Sequence, residues 1–167
     1  MINYSFVPVT AVSEELIAVF SCGSAELDRK LSEIRFDDDI TGYAFIDNEE
    51  QRIIGYCAFN ASGLTLTNGH ERITYPAVEI KFFALDEAYQ HRKYSDEMNF
   101  SDYIFSKVMS HLYEIDENVI AIKFILLYSV PAAVNFYKRN FFKEFTPYME
   151  NDEYKYITGC VPLYYPL

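Results

Sequence analysis

The stretch AVEIKFFALD, at residues 77–86, carries the strongest strand signal of the chain and decides the fold. It is dense in Val, Ile and Phe, which strands favour, and the acidic pair Asp86-Glu87 ends it. We therefore predict a buried central strand here. A second apolar run, VIAIKFILLY at residues 119–128, predicts a second buried strand.

Helical periodicity separates these two strands. Between them, residues 100–115 place apolar side chains on one side of a helix, and a polar loop at residues 86–98 precedes that helix. The other predicted elements are a first strand at 3–9 with Pro8 at a sheet edge, a helix at 13–20, a helix capped by Ser24, strands at 41–47 and 52–64, a loop at 67–70, a short helix beginning at Pro131, and closing strands within 141–167. This order predicts an α/β fold with a mixed sheet and helices on both faces.

The composition is typical of a folded protein of single-domain size. Half of the 167 residues are hydrophobic, 17% are aromatic and 23% are charged. No linker or repeat divides the chain, so we predict one domain over residues 1–167. No stretch has signal-peptide quality and no 18 uncharged apolar residues run together, so we expect a cytoplasmic protein that does not bind membranes.

The cysteines, histidines and charges exclude several kinds of site. Three widely separated cysteines build neither a disulfide framework nor a CxxC pair, and the three histidines lack metal-site spacing, so we expect no metal. The net charge of −11 disfavours nucleic acid as a partner, because phosphate backbones repel an acidic surface. Only residues 91–143 are not acidic on balance, which suits an anionic cofactor there.

Three motifs resemble the GNAT superfamily of N-acetyltransferases. FFALDEAYQHRKYS at 82–95, followed by SDYIFSKVM at 101–109, resembles the acetyl-CoA-binding core of that family. VPAAVNFYKRNFF at 130–142 resembles its second conserved stretch, and FSCGSAELDRKL at 20–31 is similar to a stretch in the branch that includes bacterial acetyltransferase toxins. The resemblance covers nearly the whole chain. It implies a central mixed, mostly antiparallel sheet and acetyl-CoA as co-substrate.

The resemblance places the cofactor pyrophosphate on the loop after the central strand. The family pattern there is Arg or Gln, two residues, Gly, one residue, then Gly or Ala; Gln90 fits the first place, whereas Lys93 and Ser95 replace the small residues. Val130 and Phe141 likewise stand where the second motif usually has Asn and Gly. The cofactor-binding residues implied on this loop are Gln90, His91, Arg92, Lys93, Tyr94 and Ser95. Charges on three of them, at positions 91–93, would compensate for the missing glycines.

The resemblance also implies catalytic roles. A backbone amide among Phe83, Ala84 and Leu85 would hold the thioester carbonyl. Tyr137 matches the tyrosine beside the departing sulfur. Glu79 matches the glutamate base of histone-acetylating members, although a carboxylate inside a strand is also explained by pairing with Lys81 on the same strand face.

The predicted function is transfer of an acetyl group from acetyl-CoA to a primary amine of a small molecule or peptide. One alternative is a toxin that acetylates aminoacyl-tRNA, which shares the fold and the FSCG stretch, but against which the net charge argues. Another is a non-catalytic GNAT-fold protein that binds a CoA compound or a protein partner, which the missing glycines favour. A homodimer is left open.

Overall fold

A computed structural model of the chain describes residues 2–145 and 159–167. The strands in these residues are β1 Tyr4–Pro8, β2 Thr41–Asp47, β3 Arg52–Asn68, β4 Glu71–Leu85, β5 Phe124–Ser129, β6 Lys143–Glu144 and β7 Val161–Pro166. The α-helices are α1 Glu14–Ala18, α2 Ala25–Glu33, α3 Glu87–Gln90, α4 Phe100–Asn118 and α5 Val134–Arg139. Short 3₁₀ turns occupy Val9–Ala11, Ile34–Phe36 and Pro131–Ala133.

The strands form one sheet in the order β1-β2-β3-β4-β5-β7-β6. β4 and β5 run parallel, with Ala77 opposite Phe124 and Ile80 opposite Leu127. The pairs β1-β2, β2-β3, β5-β7 and β6-β7 are antiparallel. The predicted α/β class, with a mixed and mostly antiparallel sheet, is confirmed, and β1 lies at the sheet edge as Pro8 predicts.

The bounds of β3, β4 and β5 differ from the prediction. The second buried strand begins at Phe124 rather than at residue 119, because the amides of Val119 and Ile120 both donate to the Ile115 carbonyl and close α4. Both side chains are exposed, at 77% and 63%. β3 and β4 are longer than predicted, since the Thr-rich residues around 65–74 continue the ladder and reduce the predicted loop to a turn at Gly69.

The predicted polar loop at residues 86–98 contains the one-turn helix α3. The Asp86 carboxylate accepts a hydrogen bond from the Ala88 amide, as a side-chain cap does, and Tyr89 is buried beneath the turn. The closing strands predicted within 141–167 are β6 and β7, and the part of that prediction that falls on residues 146–158 lies outside the described residues.

The chain divides by its contacts into two compact units, so the prediction of one domain over 1–167 stays a prediction. The first unit is Met1–Asn60 with Lys81–His111, and the second is Ala61–Ile80 with Leu112–Leu167. The fully buried side chains in the core of the first unit include Leu31, Ala44, Ile53, Tyr56 and Ala58. In the second unit, Ala77, Leu126 and Phe145 form one buried hydrophobic cluster.

Backbones approach closely where β3 passes the end of β4 in the first unit. A Cβ atom on Gly55 would lie 2.6 Å from the Ala84 carbonyl oxygen, so a side chain there would force the two strands apart. Among the described helices, none is long and apolar enough to cross a membrane.

Candidate functional site

The end of β4 is fixed by a buried carboxylate. Asp86, fully buried, accepts hydrogen bonds from Arg52 Nη2 at 2.8 and 3.0 Å, from the Ser21 amide at 3.2 Å and from the Ala88 amide at 3.0 Å. Its own amide donates to the Ile54 carbonyl at 2.9 Å. Four segments of the first unit therefore meet at the residue that follows the central strand.

Gln90 ends α3 and points back to this strand end. Its Nε2 donates to the carbonyls of Leu85 and Cys22, both at 2.8 Å. A side-chain amide has two N–H donors, and these bonds use both. The other polar atom of the side chain, Oε1, only accepts hydrogen bonds, so it does not favour a phosphate. Cofactor binding by Gln90 stays a prediction, and the backbone amide is the group of this residue that would make the contact.

Backbone amides of the following loop are engaged within the loop. Arg92 N donates to the Tyr89 carbonyl at 3.3 Å, and the amides of Tyr94 and Ser95 both donate to the Met98 carbonyl, at 2.9 and 3.2 Å. A bridge joins Lys93 to Asn99. These three amides are therefore satisfied without a ligand.

Arg92 is an exposed residue, but its guanidinium is fixed by two contacts. Its Nε donates to the Ala88 carbonyl at 2.7 Å, and its guanidinium lies 4.4 Å from the centre of the Tyr89 ring. Burial, followed by the hydrogen bond from its hydroxyl to Asp47, raises the pKa of Tyr89 to about 12. Burial alone would raise the pKa of Asp47, but the amides of Glu50 and Glu49 and the Tyr89 hydroxyl together lower it.

The remaining predicted loop residues are exposed. His91, Lys93 and Ser95 lie on the surface, and Tyr94 stacks on Tyr103 with ring centroids 3.9 Å apart and the planes within 6°. The loop thus presents cationic side chains beside an aromatic pair. Such a surface favours a phosphate through side-chain charge rather than through a glycine-rich backbone.

The three residues predicted to hold the thioester carbonyl are at the end of β4. Phe83 is half-buried against Phe105, with ring centroids 5.1 Å apart, while Ala84 and Leu85 are buried. The structure brings these residues and the loop at 90–95 into the first unit. Glu79 and Tyr137 belong to the second unit.

Tyr137 lies on α5 and packs among aromatic rings. Its ring is 5.0 Å from that of Phe136 and 6.0 Å from that of the buried Phe142, in edge-to-face arrangements. Desolvation raises the pKa of the Tyr137 phenol well above its ordinary value. The phenol is protonated at neutral pH, as an ordinary tyrosine is, and so has a hydrogen-bond donor to offer.

Phe141 adopts a backbone conformation that glycine accommodates more easily than other residues. Its φ is 69°, in the left-handed region that a β-carbon disfavours, and its side chain is 78% exposed. Its amide donates to Lys138 O at 3.1 Å and ends α5. A glycine at this position would hold the same conformation without the strain of a β-carbon.

Glu79 is half-buried on β4, opposite Leu126 of β5. Both its role as a base and its pairing with Lys81 stay predictions.

The sequence did not single out Arg52, Asp47 or Tyr89, which the structure places around the end of β4 and α3. A signal existed for Asp86, since an Asp between a strand and a helical turn is a preferred cap. Within the described residues, no three His, Cys, Asp or Glu side chains are arranged to hold a metal ion.

Known structures resemble this chain, although no family model and no curated protein matches it. A crystal structure of a bacterial toxin is 20% identical and has a TM-score of 0.75, covering 99% of this chain and 92% of its own. AtaT complexed with acetyl-methionyl-tRNAfMet is 17% identical with a TM-score of 0.73, and AtaTR bound with AcCoA is 16% identical with a TM-score of 0.73. Each covers 98% of this chain and 94% of its own. The chain shares their fold. The resemblance to GNAT acetyltransferases of the toxin branch is thus confirmed for the fold.

Proposed function

We propose that this chain is an acetyl-CoA-dependent N-acetyltransferase that transfers the acetyl group to a primary amine. The observation that carries the proposal is the fold shared over 98% of the chain with the structure of AtaTR bound with AcCoA. The sequence motifs that resemble the family fall on the end of β4, on the loop after it and on α5. A cytosolic location belongs to the same proposal.

In this proposal, charged side chains contribute more than backbone amides to binding the phosphates of the acyl donor. Acetyl-CoA carries phosphates; the exposed side chains of Arg92 and Lys93 offer it cationic groups, and that of His91 offers a ring N–H donor. The amides of Arg92, Tyr94 and Ser95 already have carbonyl partners, so they would have to exchange these to cradle a pyrophosphate. The residues present therefore fit the cofactor through side-chain contacts.

The chemistry needs a polarised carbonyl, a neutral amine and a proton for the leaving sulfur. When bound, acetyl-CoA supplies an activated acyl group as a thioester. The amides of Phe83, Ala84 or Leu85 would orient its carbonyl, and Glu79 would take a proton from the amine. The Tyr137 hydroxyl would donate a hydrogen bond or its proton to the thiolate that leaves.

The acceptor has two candidates. The complex of AtaT with acetyl-methionyl-tRNAfMet, which has the same fold, favours an aminoacyl-tRNA. The net charge of −11 favours a small-molecule or peptide amine, because an RNA-binding surface neutralises phosphates with basic side chains. We rank the small-molecule or peptide amine first as the acceptor. A homodimer is one assembly in which the enzyme would act.

Two measurements test the proposal. Calorimetry with acetyl-CoA, CoA and 3′-dephospho-CoA shows whether the donor binds. Absence of binding at millimolar concentration would contradict the proposed acetyltransferase and favour the non-catalytic alternative. Thiol release is then followed with polyamine, peptide and aminoacyl-tRNA acceptors at physiological salt. Saturable acetylation of aminoacyl-tRNA alone would reverse our ranking of acceptors.

A further inference from the structure

The segment Ser21–Ser24, which begins within the FSCG motif at residues 20–23, is hydrogen-bonded to the start of α3. The Glu87 amide donates to the Ser21 carbonyl at 2.8 Å, and the Ser21 hydroxyl donates to Glu87 Oε2 at 3.1 Å. The Ser21 amide donates in turn to Asp86 Oδ2. The segment is thus in direct hydrogen-bond contact with the two residues that follow β4.

The same segment is anchored on its other side to α2. The Cys22 amide donates to Asp28 Oδ1 at 2.8 Å, and the Ser24 hydroxyl accepts from the Leu27 amide at 3.4 Å. The Leu27 carbonyl accepts from the buried Tyr56 hydroxyl at 2.7 Å. Because α2 is held to the core of the first unit, the segment is a fixed support.

Gln90 links this support to β4. Its Nε2 lies 2.8 Å from the Cys22 carbonyl and 2.8 Å from the Leu85 carbonyl. Helix α3 is only four residues long, and one helical turn is not stable on its own. The position of α3, and of the loop after it, therefore depends on such tertiary hydrogen bonds.

We propose that Gln90 is a positioning residue of the acyl-donor site, which fixes the end of β4 and the loop at residues 91–95 against the Ser21–Ser24 segment. This inference rests on the proposed function. It assigns a role to the FSCG motif, and it gives Gln90 a side-chain role other than contact with phosphate. A donor site needs its groups held within about half an ångström, and a loop without glycine cannot close onto its ligand freely.

Four variants separate this role from a general structural one. Gln90→Ala removes both donors, and Gln90→Glu keeps the shape but places an acceptor against two carbonyl oxygens. Gln90→Arg restores donors. The matched control is Gln51→Glu, because the exposed Gln51 makes the same kind of bond, from Nε2 to the Asn48 carbonyl at 2.8 Å, in the turn between β2 and β3.

The first measurement is amide hydrogen exchange without ligand. We expect exchange at Ser21 and Glu87 to rise about tenfold in Gln90→Ala and Gln90→Glu, and to return close to the parental rate in Gln90→Arg. The control should leave both amides unchanged. Parental exchange at Ser21 and Glu87 in folded Gln90→Ala would overturn the inference whether or not the protein binds acetyl-CoA.

The second measurement is acetyl-CoA affinity by calorimetry, with melting temperature recorded for each variant. Loss of the two donors should weaken binding about three- to tenfold, in proportion to the increase in exchange. Increased exchange with unchanged affinity would overturn the functional part of the inference. Absence of binding by the parent protein would instead overturn the proposed function, and the exchange data would still decide whether Gln90 fixes the loop.

Discussion

Arg52 donates through one nitrogen, Nη2, to both carboxylate oxygens of Asp86, at 2.8 and 3.0 Å. Asp86 is fully buried, whereas the Arg52 side chain is 42% exposed. A charge in that position is tolerated only while all of its partners are present. This pair joins the start of β3 to the end of β4, where the candidate donor site begins.

Removing the Asp86 carboxylate should therefore be costly. Asp86→Ala deletes the partner of Arg52, the acceptor of the Ser21 amide and the cap of α3, and we expect a loss of about 3–5 kcal/mol in the free energy of unfolding. Denaturant titration measures it. Glu144→Ala, which breaks the half-exposed pair with Lys138, is the control and should cost less than about 1 kcal/mol. A similar cost for both variants would contradict the account of Asp86.

Phe141 offers a test in the opposite direction. It holds a left-handed backbone while 78% exposed, so Phe141→Gly should relieve the strain at little loss of burial and stabilise the protein by about 0.5–1 kcal/mol. Phe141→Ala keeps the β-carbon and is the control, for which we expect no gain. Thermal and denaturant unfolding of the three proteins decide it. Equal stability of the Gly and Ala variants would show that the φ of 69° stores no strain.

The sequence predicted the elements better than their boundaries. AVEIKFFALD forms a strand as its β-branched and aromatic residues predict, and Ser13 and Ser24 cap their helices as short hydroxyl residues do. The apolar run at 119–128 was divided wrongly, because hydrophobicity alone does not distinguish the end of a helix from the start of a strand. Here the Asp116 carboxylate accepts from the Ile122 amide at 2.7 Å, a contact that no periodicity reveals.

The candidate site was predictable in location but not in its bonding. The motif resemblance pointed to the end of β4 and to residues 90–95. It could not show that the donors of Gln90 are used by two carbonyls, one of them 68 residues away in sequence. Long-range contacts of this kind depend on tertiary packing, which local sequence patterns do not encode.

Asp47 should make stability depend on acidic pH. Its pKa is lowered below the ordinary value of 3.8, so its contribution is fully present above that value and is lost as pH falls through the native pKa. Asp47→Asn should cost about 1–2 kcal/mol at pH 7, with a difference from the parent that shrinks below about pH 3.8. Unfolding free energies from pH 7 to pH 2.5 measure it. Tyr89→Phe removes one donor to Asp47 and should weaken the same pH dependence in part; a difference that does not vary with pH would contradict this assignment.

Arg92 should contribute to both acetyl-CoA binding and stability, whereas Lys93 should contribute to binding alone. Lys93→Ala should weaken acetyl-CoA binding about three- to tenfold at low salt, less at high salt, with no change in melting temperature, because its charge acts on the phosphates alone. Arg92→Ala should weaken binding and also lower the melting temperature, since Arg92 holds the Ala88 carbonyl and the Tyr89 ring. Calorimetry at two salt concentrations separates the effects. A ratio of parental to variant affinity that is the same at both salt concentrations, for both variants, would remove both side chains from the donor site.

Tyr137 carries the most direct test of the proposed chemistry. Its phenol has a pKa raised by desolvation, so it holds its proton across the pH range in which an amine acceptor becomes neutral. A proton donated to the departing thiolate stabilises the transition state more than the bound thioester, and its loss should therefore lower kcat by about a hundredfold with little effect on acetyl-CoA affinity. Tyr137→Phe keeps the ring that packs on Phe142, so the fold should survive.

Tyr113→Phe, which removes a hydroxyl bonded to Tyr165 at 2.7 Å, is the matched control and should retain parental turnover. Thiol release at saturating acetyl-CoA, measured with melting temperature for all three proteins, gives the answer. Near-parental turnover in folded, saturated Tyr137→Phe would make Tyr137 a packing residue and would require another proton donor.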